Sequence, residues 1–260
     1  MKTERSKLLS SELVKLLTLR SVWVTGLVTV GICITMSVLT APSIGEAIAV
    51  NDPALAAGTT PELVSLEWVN MGLVGIIVIG VVAGSSEYVG DQIKISLLAV
   101  PNRMTLITVK SFALLLFTFA LAIITIPTLS LLSQLTLGDL SVINKGIPTS
   151  LIWKWIGGII YWVAMAQISF SFGILARQAL IPLFVLIVIS QLVGPLLYFL
   201  PFLMKYLPVS AGAQLVDTSI VADNQNGALT PVMAFIVLFV WVVVIFGTAA
   251  FRFCRKENVA

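Results

Sequence analysis

Residues 84–110 read GSSEYVGDQIKISLLAVPNRMTLITVK. Five charges, Glu87, Asp91, Lys94, Arg103 and Lys110, stand among short apolar stretches. Before Glu87 and after Lys110 the charges stop: residues 68–86 and 111–138 hold no Asp, Glu, Lys or Arg. A run of about 20 apolar residues suffices to cross a bilayer as a helix. The segment therefore reads as a polar connection between two spans. Working outward, charge-free runs recur at 21–45, 155–176, 178–204 and 224–251. Each holds one crossing, and none holds two with a turn. The expected fold is an all-α integral membrane protein with six transmembrane helices. They fall near 21–41, 66–86, 108–136, 151–176, 179–200 and 229–251 of a single domain over 1–260.

Composition agrees. Of the 260 residues, 58% are apolar and 10% charged, with mean hydropathy +1.07. Soluble domains carry about 25% charge, so a soluble globular protein and a disordered chain are excluded. A net charge of +3 is too weak to call for nucleic acid. There is no histidine, which removes histidine-based catalysis and most metal sites. No metal site is expected. Cys33 and Cys254 lie too far apart for a local redox motif; Cys33 reads as a packing residue.

Basic residues set the direction. With the N-terminus inside and six crossings, twelve Lys and Arg fall on the cytosolic side and three outside. Acidic residues divide five inside and seven outside. Both termini are expected in the cytosol of a multi-pass protein. The leader, 1–20, places Leu9, Leu13, Leu16 and Leu17 on one helical face, so an amphipathic helix lying in the interface is expected. The alternative is a first span that starts early and tilts. The outer loop, 41–67, reads as turns around short helical pieces. Pro182 and Pro195 suggest a kinked or broken fifth span, followed by an outer helix near 209–221.

Glu87 ends the second span, where a carboxylate meets the negative end of the helix dipole unless something pairs with it. Lys94, Arg103 or a partner's basic group could do so. Residues 91–100 fit either a short helix (Ile93, Leu97 and Val100 on one face) or a strand, closed by Pro101. A lone strand would leave its backbone unpaired, which favours the helix. As chemistry the segment is equally an interfacial loop or a docking site.

The order of leader SELVKLLTLRS, span, acidic loop and second span ending in GSSEYVGDQIKISLLAVPNRMTLITVK resembles the permease subunits of bacterial type-2 ATP-binding-cassette transporters. The matching residues are Glu87, Tyr88, Ile93, Leu97, Leu98, Pro101, Arg103 and Lys110, with Glu12, Lys15, Arg20 and Ser21 in the leader. The chain departs from the pattern at Gly90-Asp91-Gln92, where that family carries a Gly-Thr pair. The motif covers about 40 residues; topology covers the rest. The resemblance implies the type-2 exporter fold with 1–20 as its elbow helix. It implies a coupling segment at 87–104 that docks on an ATPase. Glu87, Tyr88, Asp91, Ile93, Lys94, Leu97, Pro101 and Arg103 would form it, with Arg177 as a second contact. It further implies a second permease, identical or homologous, two ATPase subunits that carry ATP and Mg, and a place in the bacterial cytoplasmic membrane.

No glycine precedes a lysine, so the chain has no P-loop and no cofactor is expected on it. Catalysis of its own is not expected. The span cores lack the charges that ion-coupled carriers use. Thr118, Thr125, Gln134, Gln167 and Gln191 are neutral polar groups that could line a translocation path or bond between helices. Together these readings point to export of a hydrophobic or amphipathic compound (a drug, lipid or antimicrobial peptide). A secondary carrier without ATPase and a non-transporting scaffold or immunity subunit are the alternatives.

Overall fold

The computed structural model describes residues 2–50, 52, 60–91, 96–98, 100, 102–199, 205–217 and 228–255. Their regular structure is all helical, with no strand among the described residues. In chain order the helices are α1 (Lys2–Thr18), α2 (Arg20–Ala49), α3 (Trp68–Ser85), α4 (Arg103–Thr136), α5 (Thr149–Ala176), α6 (Leu180–Phe199), α7 (Pro208–Val216) and α8 (Pro231–Arg255). Five of them, α2, α3, α4, α5 and α8, are long and apolar enough to cross a membrane. The sixth apolar helix, α6, has 20 residues.

α1 and α2 are separate helices. Leu19 interrupts them with an extended backbone, φ −68° and ψ 106°. This favours the distinct leader over an early, tilted first span. Leu9, Leu13 and Leu16 of the expected stripe face the core, joined by Glu12, whereas Leu17 is 43% exposed. At about 100° per residue, Glu12 and Leu17 flank those leucines on opposite sides, and it is the Glu12 side that is buried.

Two helices outrun their expected spans. α2 continues through Pro42 to Ala49, into what reads as the outer loop. α4 starts at Arg103 with Asn102 as its cap, whose side chain accepts from Thr105 N at 3.1 Å. With 34 residues, α4 is ~51 Å long, against ~30 Å for a hydrocarbon core. α6 is continuous across Pro195 and is not broken there. Pro182 lies in its first turn, where a missing N–H costs nothing. The outer helix after it is α7, shorter than expected; residues 218–227 lie outside the described residues.

Of the five long apolar helices, α3 and α5 are the most buried, and α2 and α8 the least. Glycine permits their contact. A Cβ on Gly80 would lie 2.5 Å from Ala166 O, and one on Gly173 2.7 Å from Val81 O. A Cβ on Gly84 would collide with the Phe170 carbonyl. The Gly80-x-x-x-Gly84 pair thus packs backbone against backbone within the chain. Trp162 Nε1 donates to Val69 O at 2.9 Å across the same interface. By contrast, Leu27, Ile32 and Leu39 of α2 and Val232, Phe239 and Val244 of α8 point outward as broad apolar faces suited to lipid.

The outer ends are tied by polar clamps. Gln134 Nε2 donates to Pro61 O at 2.6 Å, and its Oε1 accepts from Val142 N at 3.0 Å. Lys154 Nζ lies 2.7 Å from Glu62 Oε2, and Ser150 Oγ donates to Glu62 Oε1 at 3.0 Å. The Lys154 ammonium holds the Glu62 carboxyl below its usual pKa, against a smaller opposing effect of burial.

Gly84→Val should drive α3 and α5 apart and cost about 1–3 kcal/mol. The unfolding midpoint in detergent should fall, whereas Gly247→Ala, at a site with no atom within 4 Å, should leave it unchanged. The Glu62 clamp predicts a pH effect. Its depressed pKa contributes stability above the ordinary carboxylate value of about 4.3, and that stability is lost as pH falls through the folded value. The gap in unfolding midpoint between wild type and Glu62→Gln, at most ~1 kcal/mol for so exposed a pair, should close on acidification to about pH 3.

Candidate functional site

The second span ends in a 3-10 helix, Ser86–Asp91, which turns Glu87 back into the protein. Glu87 Oε1 binds Lys110 Nζ directly, and Glu87 Oε2 accepts from Ser96 Oγ at 2.7 Å. Lys110 Nζ also stands 3.7 Å from Glu12 Oε2 of α1. Glu12 Oε1 in turn lies 2.7 Å from Lys15 Nζ. Relative exposures are 4% for Glu12, 7% for Glu87 and 6% for Lys110. Two carboxylates and two ammonium groups balance, and three of the four are buried. A cavity of about 250 Å³ adjoins them, lined also by Leu16 and Thr18.

Lys110 is thus a partner of Glu87 that the reading of the segment did not name; Lys94 lies outside the described residues. Arg103 turns the other way: Nη1 donates to Phe253 O at 3.4 Å, and the guanidinium carbon stands 6.0 Å from the Phe253 ring centre. Lys110 wins because it sits two turns into α4, level with the end of α3. The 23-residue separation hid this pairing, although the two charges bound the segment that decides the fold.

Tyr88 faces the opposite side. Arg177 lies over its ring at 5.6 Å. Arg177 adopts φ 56°, the left-handed conformation that closes α5, and its N–H donates to Gly173 O at 3.0 Å. The two regions named as contacts, 87–104 and Arg177, therefore meet through Tyr88. Of the segment between, Asp91 closes the 3-10 helix, while Ile93 and Pro101 lie outside the described residues. The described part, Ser96–Leu98, is helical, and Val100 N donates to Ser96 O at 2.9 Å. Leu97 packs on the core, whereas Leu98 projects with 86% of its surface exposed.

The neutral polar residues are distributed differently. Thr118 and Thr125 are buried and return their hydroxyls to the carbonyls of Leu114 at 2.9 Å and Leu121 at 2.7 Å. Gln167 exchanges bonds with Ser111, accepting from Oγ at 2.6 Å and donating to the carbonyl at 3.1 Å. Gln134 clamps the outer loop, and Gln191 is exposed on α6. Two of the five, Gln134 and Gln167, thus tie separate elements together, the threonines bond within α4, and the structure does not gather the set into one wall.

Glu12 and Lys110 are the site residues that the sequence reading matched but did not place. The signal was a carboxylate within the apolar stripe of the leader. Comparison with protein-family models, with curated proteins and with solved structures returned no match.

Lys110→Met should leave two buried carboxylates facing each other and cost about 3–5 kcal/mol, read as a lower unfolding midpoint. Glu12→Gln and Glu87→Gln added to it should recover most of that loss. A triple variant no more stable than Lys110→Met would contradict the charge-balance account.

Proposed function

We propose that this chain is the permease subunit of an ATP-driven transporter of the type-2 ATP-binding-cassette class, with six spans and both termini cytosolic. A separate chain binds and hydrolyses ATP, two permeases pair, and the compound exported is hydrophobic or amphipathic. The observation that carries this reading is the buried Glu12–Lys110–Glu87 cluster. It binds the leader, the end of α3 and the start of α4 to one another. Those residues are also among the ones on which the resemblance rests. A load applied to the 87–104 segment would pass directly into two spanning helices and the leader. The exposed Leu98 offers an apolar contact at its tip.

A lateral cleft of about 680 Å³ between α5, α7 and α8 supports the substrate class. Its walls include Trp153, Ile160, Val232 and Phe235, and Lys154 and Asp217 mark its polar end. Such a cleft suits a molecule with an apolar body and a polar head.

The test is a pull-down of the tagged protein from its native membrane in mild detergent. A stoichiometric P-loop ATPase should copurify, and Leu98→Asp should abolish its recovery while leaving the permease folded. Absence of any ATPase, on co-expression as well, would sink the proposal.

A further inference from the structure

A second pocket lies on the other side of Tyr88. It measures about 370 Å³ and is bounded by Tyr88, Ile174, Arg177, Phe251, Arg252 and Arg255. Three guanidinium groups line it, and no carboxylate is among its described lining residues. The neighbouring carboxylate, Glu87, is already engaged by Lys110 and Ser96. α5 ends at Ala176 and α8 at Arg255, both against the pocket. Arginines at helix C-termini ordinarily offset the helix dipole, and that is the simpler account of their presence. The magnitudes do not close on it. Each terminus contributes about −0.5 of a charge, so two termini leave roughly two of the three positive charges unbalanced.

The shape of the site points the same way. Arg177 is the one described non-glycine residue with positive φ, a conformation that costs energy, and it turns the guanidinium onto Tyr88. Arg255 lies over the Phe251 ring at 5.4 Å. The two aromatic rings hold these cations in place, and Ile174 and Leu175 supply apolar wall beside them. Fixed guanidinium groups next to apolar wall, at the end of spanning helices, match a phosphate group attached to an acyl-chain body.

We infer that the pocket formed by Arg177, Arg252 and Arg255 between α5 and α8 binds the phosphate of an anionic phospholipid headgroup. The inference rests on the membrane orientation argued above; Tyr88 and Arg177 also belong to the regions proposed to contact the ATPase, so the test uses the permease by itself. Lipid bound there would bear on Tyr88, and through it on the 3-10 helix that carries Glu87.

The full chain is purified in mild detergent and titrated with phosphatidylglycerol or phosphatidylcholine, and retained lipid is counted by native mass spectrometry. Wild type should retain phosphatidylglycerol preferentially. Arg252→Gln with Arg255→Gln should reduce that preference by about fivefold per arginine. Lysine at both positions should keep most of it. Should the double glutamine variant not fold, Arg252→Gln alone, at an exposed side chain, carries the test. Millimolar inorganic phosphate should leave the lipid bound. Displacement by phosphate would assign the pocket to a free anion and overturn the lipid proposal. Equal retention of the two lipids by wild type, or unchanged preference in the glutamine variants, would overturn it as well.

Discussion

One ammonium group, Lys110 Nζ, stands between the buried carboxylates of Glu12 and Glu87, and the basic end of the molecule is arranged around it. None of the three can be charged and buried by itself at tolerable cost. Each therefore requires the other two to be in place. Glu12 requires α1 to lie against α4, Glu87 requires the turn after α3, and Lys110 requires α4 to begin early enough to bring it level with both. Buried ion clusters are weak contributors to net stability but strong constraints on register. In an apolar helical domain, where leucine can pack against leucine in many ways, such a constraint selects one arrangement.

The centre of the bundle obeys a different constraint. In lipid, apolar side chains gain little by leaving their surroundings, so close packing and interhelical hydrogen bonds must hold helices together. α3 and α5 meet where Gly80, Gly84 and Gly173 remove side chains altogether, and Trp162 bonds the Val69 carbonyl beside them. The intramembrane polar groups serve the same end. Gln167 ties α5 to α4 through Ser111, and the threonines of α4 satisfy themselves on their own helix. Gln167 is thus explained by cohesion before transport is invoked, and the threonines by bonds within α4.

Tyr88 links the two halves of the basic end. On one side its neighbour Glu87 enters the ion cluster; on the other its ring carries Arg177. The 3-10 helix between is only six residues long, so it transmits displacement without room to absorb it. It also places the arginine pocket and the ion cluster within one short segment of each other.

The helical membrane class, the long apolar segments and the special standing of 84–110 were legible in the sequence because they rest on composition and local periodicity. The helix ends were less legible: Pro195 reads as a break, yet α6 runs through it, and α2 runs through Pro42 into the expected outer loop. The partner of Glu87 was not legible at all. Lys94 and Arg103 were nearer along the chain, but α4 carries Lys110 to the end of α3 and sends Arg103 toward Phe253. Which face of the leader is buried likewise turned on Glu12, whose cost of burial Lys15 and Lys110 offset together. Sequence by itself determined what must avoid water, because that depends on each residue's own chemistry. Tertiary structure alone decided which charges meet, because that depends on where separate helices bring them.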